Sequence, residues 1–120
     1  MSPEQVLKNT DFSQFDIYQG DCVNIAVALK RVFGGTYVAS YANEVDFHDG
    51  RPAHFATRIG GTLYDGGGKT SRGALQERAY YGGGADEWDS IVVTEVPNPD
   101  RQLLDPQRVS QIRQELESVL

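Results

Sequence analysis

Three residues of the sequence carry side chains that together suit nucleophilic chemistry: Cys22, His54 and Asp65. Cys22 is the only cysteine and stands at the predicted start of a helix. The N-terminus of a helix carries a partial positive charge, which lowers the pKa of a thiol and favours the thiolate. A histidine can act as the base for such a thiol, and a carboxylate can fix the tautomer of that histidine. These residues therefore predict a Cys–His–Asp triad.

The spacing of His54 and Asp65 predicts that both lie on one face of a β-hairpin. The segments AHFATRI and TLYDG flank Gly60-Gly61, and strand-like runs around a Gly-Gly pair are typical of a tight hairpin. With a two-residue turn, the antiparallel ladder places Asp65 opposite Ala56, two positions from His54. Because alternate residues of a strand share a face, we expect the imidazole and the carboxylate within side-chain reach of each other.

The helix that begins at Cys22 is predicted from apolar residues that recur at helical spacing over residues 22–33. Asp21 is the expected N-cap, and Gly34-Gly35 is expected to end the helix. The other segments are predicted from similar local signals: a helix over 2–8, a loop over 9–20, a strand over 36–42, a polar loop over 43–52, a loop at GGGKTSRG, a helix over 71–81, a strand over 89–96 and an amphipathic helix from Asp105 onward.

These elements predict an α+β fold, in which the Cys-bearing helix packs on a small antiparallel sheet of about four strands, with a C-terminal amphipathic helix. At 120 residues, we expect residues 1–120 to form a single domain. A hydrophobic content of 39% and a charged content of 23% are typical of a globular protein and not of a disordered one.

The charge and the terminal residues restrict the partners and the location. The net charge of −6 disfavours nucleic acid as a partner. The N-terminal residues are polar, and no apolar run approaches the ~20 residues that span a bilayer, so we expect no membrane partner. A lone cysteine fits a reducing compartment, and the predicted location is the cytoplasm.

The stretches GDCVNIAVAL and AHFATRIGGTLYDG resemble the core of the papain-like and transglutaminase-like cysteine hydrolases. An aromatic residue ahead of the Asp-Cys pair is also similar to NlpC/P60-type peptidases. The resemblance covers roughly residues 18–68. It implies that Cys22 is the nucleophile, His54 the base and Asp65 the orienting acid. It also implies a protein or peptide amide as substrate and no requirement for a cofactor.

Acyl transfer also needs donors that stabilise the oxyanion. The backbone N–H of Cys22 is one candidate. Gln19 is the side-chain candidate for a second donor, and Gln19 and Asp21 are together the predicted oxyanion and substrate-binding residues. Papain-like enzymes likewise use a Gln upstream of the Cys, although at a larger distance.

Three other interpretations stay open. Cys22 also fits a small buried hydrophobe in a non-catalytic module, whose Gly-rich loops would bind a protein partner. His48 and His54, with Asp46 and Asp49, could bind a metal, but their spacing matches no zinc motif and we predict no metal site. The segment YDGGGKTSRG lacks the glycine spacing of a phosphate-binding loop and is expected to form the rim of an active site.

Overall fold

A computed structural model of the chain describes residues 1–18, 20–99 and 101–120 and confirms the predicted α+β class. Its α-helices are α1 (Pro3–Asn9), α2 (Cys22–Phe33), α3 (Glu44–His48), α4 (Arg72–Glu77) and α5 (Pro106–Ser118). The strands in the described part of the chain are β1 (Thr36–Tyr41), β2 (His54–Ile59), β3 (Thr62–Asp65), β4 (Gly68–Thr70) and β5 (Val92–Val96). They form one antiparallel sheet in the order β4-β3-β2-β1-β5.

The central strands send alternate side chains into two separate cores. Phe55 and Ala39 pack in the larger core, with α1, α2 and α5, whereas Val38 and Ala56 pack against Leu75 of α4. Because neighbouring residues of a strand face opposite sides, the layer of α2 lies on one face of the sheet and the layer of α4 on the other. No helix in the described part of the chain is long and apolar enough to cross a bilayer.

Helix α2 is held between the sheet and α5, and its residues 22–29 are all buried. Its apolar stripe is buried, and the hydroxyl of Thr57 in β2 donates a hydrogen bond of 2.8 Å to the carbonyl of Ala26. The helix ends, as predicted, at Gly34 and Gly35, which adopt φ angles of 79° and 105°. A Cβ atom at Gly35 would collide with the backbone carbonyl of Arg58, so this residue also sets how closely the turn approaches β2.

Two segments that were expected to be loops form regular elements. Residues 44–48 form the short helix α3 because the side chain of Asn43 caps it, accepting a hydrogen bond of 2.8 Å from the N–H of Asp46. Gly68–Thr70 folds back as β4, because the turn at Gly66-Gly67 lets Gly68 pair with Asp65. The described sheet therefore has five strands, one more than the approximate number predicted.

The two segments on either side of residues 82–84, the second Gly-rich loop, were predicted in part. The predicted helix over 71–81 is α4 followed by a π-helical turn, Arg78–Gly82. The predicted strand over 89–96 begins only at Val92, because Trp88–Ser90 forms a 3₁₀ turn. The terminal helix is confirmed: the side chain of Asp105 caps it, and it buries Val109, Ile112 and Leu116.

Candidate active site

The β2–β3 hairpin has the predicted register and brings His54 and Asp65 together. Thr57 pairs with Tyr64, and Ile59 pairs with Thr62 across the Gly60-Gly61 turn. Nε2 of His54 lies 2.8 Å from Oδ2 of Asp65. His54 is 0% exposed and Asp65 is 6% exposed, so this pair is shielded from water.

The partners of Asp65 define the tautomer of the imidazole. The other carboxylate oxygen, Oδ1, accepts a hydrogen bond of 2.9 Å from the N–H of Gly67. A carboxylate can only accept, so Nε2 of His54 is assigned the proton and Nδ1 is left as an acceptor. Nδ1 is buried and has no hydrogen-bond partner among the described residues. A buried polar atom without a partner is rare in folded proteins and often marks a functional position.

The thiol of Cys22 lies against the backbone N–H of Phe55, the residue that follows His54. The thiol is at the first position of α2, is 5% exposed, and accepts hydrogen bonds from the N–H groups of Phe55 and Val23. Phe55 directly follows His54, but its side chain belongs to the α2 face, and so His54 points to the other face of the strand. Within the described structure no hydrogen bond joins the thiol to Nδ1.

The electrostatics of Cys22 differ from the prediction. Burial raises the pKa of the thiol from 9.0 to about 11, against the hydrogen bonds from Phe55 and Val23, and the negative charge of Asp16 acts in the same direction as burial. The expectation of a lowered pKa was therefore wrong for this conformation, because desolvation outweighs the donors at the start of the helix. The thiol is protonated at neutral pH in this state.

Tyr18 and Arg78 cover the imidazole. The ring of Tyr18 lies 6.1 Å from the ring of His54, and a Cβ atom on Gly67 would come within 2.5 Å of the Tyr18 hydroxyl. The guanidinium carbon of Arg78 lies 3.4 Å from the centre of the Tyr18 ring, on the side of the π-helical turn. The imidazole is thus covered on this side by the Tyr18 ring, on which the Arg78 guanidinium packs.

The predicted rim loop and the second Gly-rich loop both lie beside the pair, the first through the bond of Gly67 to Asp65. Gly83, in the second Gly-rich loop, packs so closely on Ala53 that a Cβ atom would lie 2.5 Å from the Ala53 methyl group. A groove of about 520 Å³ runs between the first Gly-rich loop and α1, and its lining does not include Cys22 or His54. Its lining residues are Glu4, Leu7, Lys8, Thr10, Phe12, Gly66, Gly67, Gly68 and Lys69.

Asp21 serves a buried ionic network. It occupies the N-cap position of α2, as predicted, but its side chain makes no capping hydrogen bond to the backbone of the helix. Arg108 of α5 donates to both carboxylate oxygens, at 2.9 Å and 2.5 Å, and holds the pKa of Asp21 below its ordinary value. Asn24 and the N–H of Asp16 add hydrogen bonds of 3.0 Å each.

This network limits what Asp21 can do at the site. As a carboxylate it has no proton to donate to an oxyanion, and Arg108 and Asn24 already occupy its oxygens. Gln19, the other predicted side chain, lies outside the described residues. The backbone N–H of Cys22 at the start of α2 is therefore the donor on which an oxyanion site would be built.

The four residues of the rival metal site do not come together. His48 is exposed on α3 and lies 3.7 Å from Glu44, whereas His54 is buried against Asp65. Across residues 1–18, 20–99 and 101–120, no group of three or more His, Cys, Asp or Glu side chains is arranged to hold a metal ion.

Four residues around the site were not predicted from the sequence: Tyr18, Arg78, Arg108 and Ser40. Ser40 is the hydroxyl residue inside the apolar run of β1, and its cross-strand partner is His54. A polar residue within such a run was the available signal for Ser40. The two arginines act across more than 50 residues of sequence, and no local pattern identifies such contacts.

Comparisons with protein-family models, with curated proteins and with solved structures find no match to this chain. The resemblance to papain-like and transglutaminase-like cysteine hydrolases therefore rests on Cys22, His54 and Asp65 and on their surroundings.

Proposed function

We propose that the protein is a cysteine-dependent acyl-transfer enzyme that acts on an amide bond, with Cys22 as nucleophile, His54 as base and Asp65 as orienting acid. The observation that supports this proposal is the buried His54–Asp65 pair, whose Nδ1 has no partner in the described structure and lies one residue from the N–H that binds the thiol. Nδ1 is the atom that has to accept the thiol proton.

The proposed reaction needs no group beyond these side chains. As the sulfur attacks the carbonyl carbon, the thiol proton moves to Nδ1 of His54, while Nε2–H stays bonded to Asp65. The backbone N–H of Cys22 stabilises the oxyanion. His54 then returns its proton to the leaving amine, and an acyl-thioester remains on Cys22. Attack by water completes hydrolysis or deamidation, and attack by an amine completes transfer.

Under this proposal, the structure would be the resting state of the enzyme. The thiol is protonated, Tyr18 covers His54, and thiol and imidazole share no hydrogen bond in the described structure. Catalytic hydrogen bonds are often long or poorly aligned before substrate binds. Substrate would have to displace Tyr18 and bring the thiol, which α2 carries on the opposite face of β2, within reach of Nδ1. We propose a protein or peptide amide as the substrate and the reducing cytoplasm as the setting.

A second candidate function is a non-catalytic binding or structural module. The observation in its favour is that the thiol of Cys22 is 5% exposed with a pKa of about 11, as expected for a small buried hydrophobe. In that case His54 and Asp65 would be a structural pair of the α4 layer. The two candidates differ in whether the reactivity of Cys22 depends on His54.

Alkylation of Cys22 by iodoacetamide under native conditions tests the proposal. Replacing His54 with Gln should slow alkylation at least ~10-fold, because general-base assistance contributes about 10²–10⁴-fold. His48→Gln is the matched control, since His48 is the other histidine of the chain and is exposed on α3. Denatured variants should all react at one rate, and thermal unfolding should show that each is folded. Equal native rates for the wild-type protein and His54→Gln would contradict the enzyme.

A further inference from the structure

The exposed aromatic side chains of the described chain are concentrated in one place. Tyr81 is 80% exposed and Trp88 is 41% exposed. Both rings pack on Tyr80, whose ring centre lies 4.9 Å from that of Tyr81 and 5.7 Å from that of Trp88. We call these three residues the aromatic patch. Its rings are ordered by their mutual contacts before any ligand arrives, and exposed apolar surface of this kind is typical of a binding site.

Two contacts anchor the aromatic patch at the end of the sheet that carries His54. The hydroxyl of Ser90, in the 3₁₀ turn of the patch, donates a hydrogen bond of 3.1 Å to the carbonyl of Ala42, the residue that follows β1. Gly83, in the loop between the aromatic rings, packs on Ala53, the residue before His54. A ligand on the patch is therefore held at the end of the sheet where the proposed site lies.

The segment that carries the aromatic patch is acidic. Residues 77–90 hold four carboxylates against one cation, Arg78, so the segment has a net charge of −3. The guanidinium of Arg78 already packs on the Tyr18 ring. All four carboxylates are exposed, and none takes part in an ion pair within residues 1–18, 20–99 and 101–120; they belong to Glu77, Asp86, Glu87 and Asp89.

A recess of about 230 Å³ brings an aromatic ring and a carboxylate together. It is lined by Tyr81 and Glu77, with Ala74, Arg78 and Gly82. A Lys or Arg cation is attracted to the face of a tyrosine ring, and it also forms charge-assisted hydrogen bonds with a carboxylate. A negatively charged segment would instead be repelled by the carboxylates around the patch. The charge and the lining of this surface therefore match a basic ligand.

We propose that the aromatic patch and its carboxylates form a docking surface for a basic peptide segment, one of whose Lys or Arg side chains occupies the recess between Tyr81 and Glu77. The role of this surface as a substrate subsite rests on the proposed function. In that role it makes the substrate a basic peptide or a basic segment of a protein, which the patch holds at the His54 end of the sheet. The binding itself does not require Cys22.

Trp88 is the single tryptophan of the chain, so its fluorescence reports directly on the aromatic patch. The test is a titration of the full-length protein with acetylated and amidated tri-lysine, compared with tri-glutamine and tri-glutamate that have the same ends. We expect tri-lysine to change the fluorescence and to bind about 3- to 30-fold more tightly than tri-glutamine, with an affinity that falls as salt is added. Calorimetry measures the same affinities independently of fluorescence. If calorimetry shows that tri-lysine binds no more tightly than tri-glutamine, the proposal is overturned.

Matched variants locate the binding on this surface. Tyr81→Leu keeps an apolar side chain but removes the ring, and should weaken the affinity for tri-lysine about two- to fivefold. Glu77→Gln with Glu87→Gln should weaken it about threefold or more, because two carboxylates are lost. The control is Glu4→Gln with Glu115→Gln, which removes the same charge from exposed positions of α1 and α5 and should change the affinity less than twofold. Thermal unfolding checks that each variant is folded, and equal affinities of the two double variants would overturn the proposal.

Alkylation of Cys22 separates this proposal from the proposed function. If the patch variants weaken the binding of tri-lysine while alkylation is the same in the wild-type protein and in His54→Gln, the docking surface stands and the enzyme fails. If alkylation depends on His54 but the patch variants bind tri-lysine as the wild-type protein does, the enzyme stands and the docking surface fails.

Discussion

The protonation of Cys22 is set by competition between burial and the N–H groups around the sulfur. The N–H groups of Phe55 and Val23 favour the thiolate, but desolvation dominates and the pKa rises to about 11. The sequence can place a thiol at the start of a helix, but it cannot show how deeply that thiol is buried in the core. This is why the residue-level prediction located Cys22 correctly and had the direction of its pKa shift wrong.

The raised pKa of Cys22 predicts a loss of stability at alkaline pH. In the unfolded chain the thiol ionises near its ordinary value of 9.0, whereas in the folded protein it keeps its proton up to about 11. The contribution of Cys22 to the free energy of unfolding should therefore be constant below about pH 9. It should fall by ~2–3 kcal/mol as the pH rises through about 11. Urea unfolding between pH 8 and pH 11 measures this change.

Cys22→Ala is the control for that measurement, because it removes the titrating group and keeps a small apolar side chain. The difference in the free energy of unfolding between wild type and variant gives the effect of the thiol alone, separate from that of tyrosines and lysines that titrate in the same pH range. A difference that stays constant from pH 8 to pH 11 would show that the thiol ionises equally in both states.

At the scale of elements, α2 and the β2–β3 hairpin could be predicted because their signals are local. The apolar stripe that starts at Cys22 and the Gly60-Gly61 turn each specify one element within a short window. Strand β4 could not be predicted in this way, because its pairing depends on the turn at Gly66. That turn packs against Ile17, which is remote in sequence. The α3 helix was missed because five residues are too few for periodicity to show.

The α2–α5 contact yields a prediction about Asn24. Its side chain, which is 2% exposed, donates to Asp21 at 3.0 Å and accepts from the N–H of Asp105 at 2.8 Å. Asn24→Ala should lower the free energy of unfolding by ~1–3 kcal/mol, because it leaves the start of α5 without an acceptor. Gln107→Ala, at an exposed position of α5, should change it by less than ~0.5 kcal/mol. Urea unfolding compares the two, and equal losses would refute the coupling.

The turn after α2 yields a prediction from two adjacent glycines. Gly34 and Gly35 both have positive φ angles, so an Ala at either position strains the backbone. Only at Gly35 would the added Cβ also collide with the carbonyl of Arg58. Gly35→Ala should therefore cost ~1–3 kcal/mol more than Gly34→Ala in urea unfolding. A Gly34→Ala variant at least as destabilised as Gly35→Ala would contradict this account of the close approach.

At the scale of the whole molecule, the site lies where three distant segments meet. The loop before α2 supplies Tyr18, the hairpin supplies His54 and Asp65, and the π-helical turn supplies Arg78. The hairpin pair could be predicted from the sequence because its members are only eleven positions apart. It could not predict the covering side chains, because Arg78 reaches Tyr18 through tertiary packing alone.

The cover predicts that Arg78→Ala should make Cys22 more reactive. Losing an exposed cation–π contact of about 0.5–1 kcal/mol should let Tyr18 leave His54 more often and accelerate native alkylation two- to fivefold. Arg113→Ala is the control, since Arg113 is paired with Glu117 on α5. An equal rate in the two arginine variants would argue against Tyr18 as a cover.

The pH dependence of Cys22 alkylation tests most directly whether Cys22 and His54 form one site. If the thiol is only buried, its alkylation rate should rise with pH in a single step at the pKa of the thiol, about 11. A thiol that passes its proton to His54 should show an additional step at lower pH, and His54→Gln should abolish that step. We predict two steps in the wild-type protein and one in His54→Gln. A single rise near pH 11, identical in both proteins, would contradict the proposed enzyme.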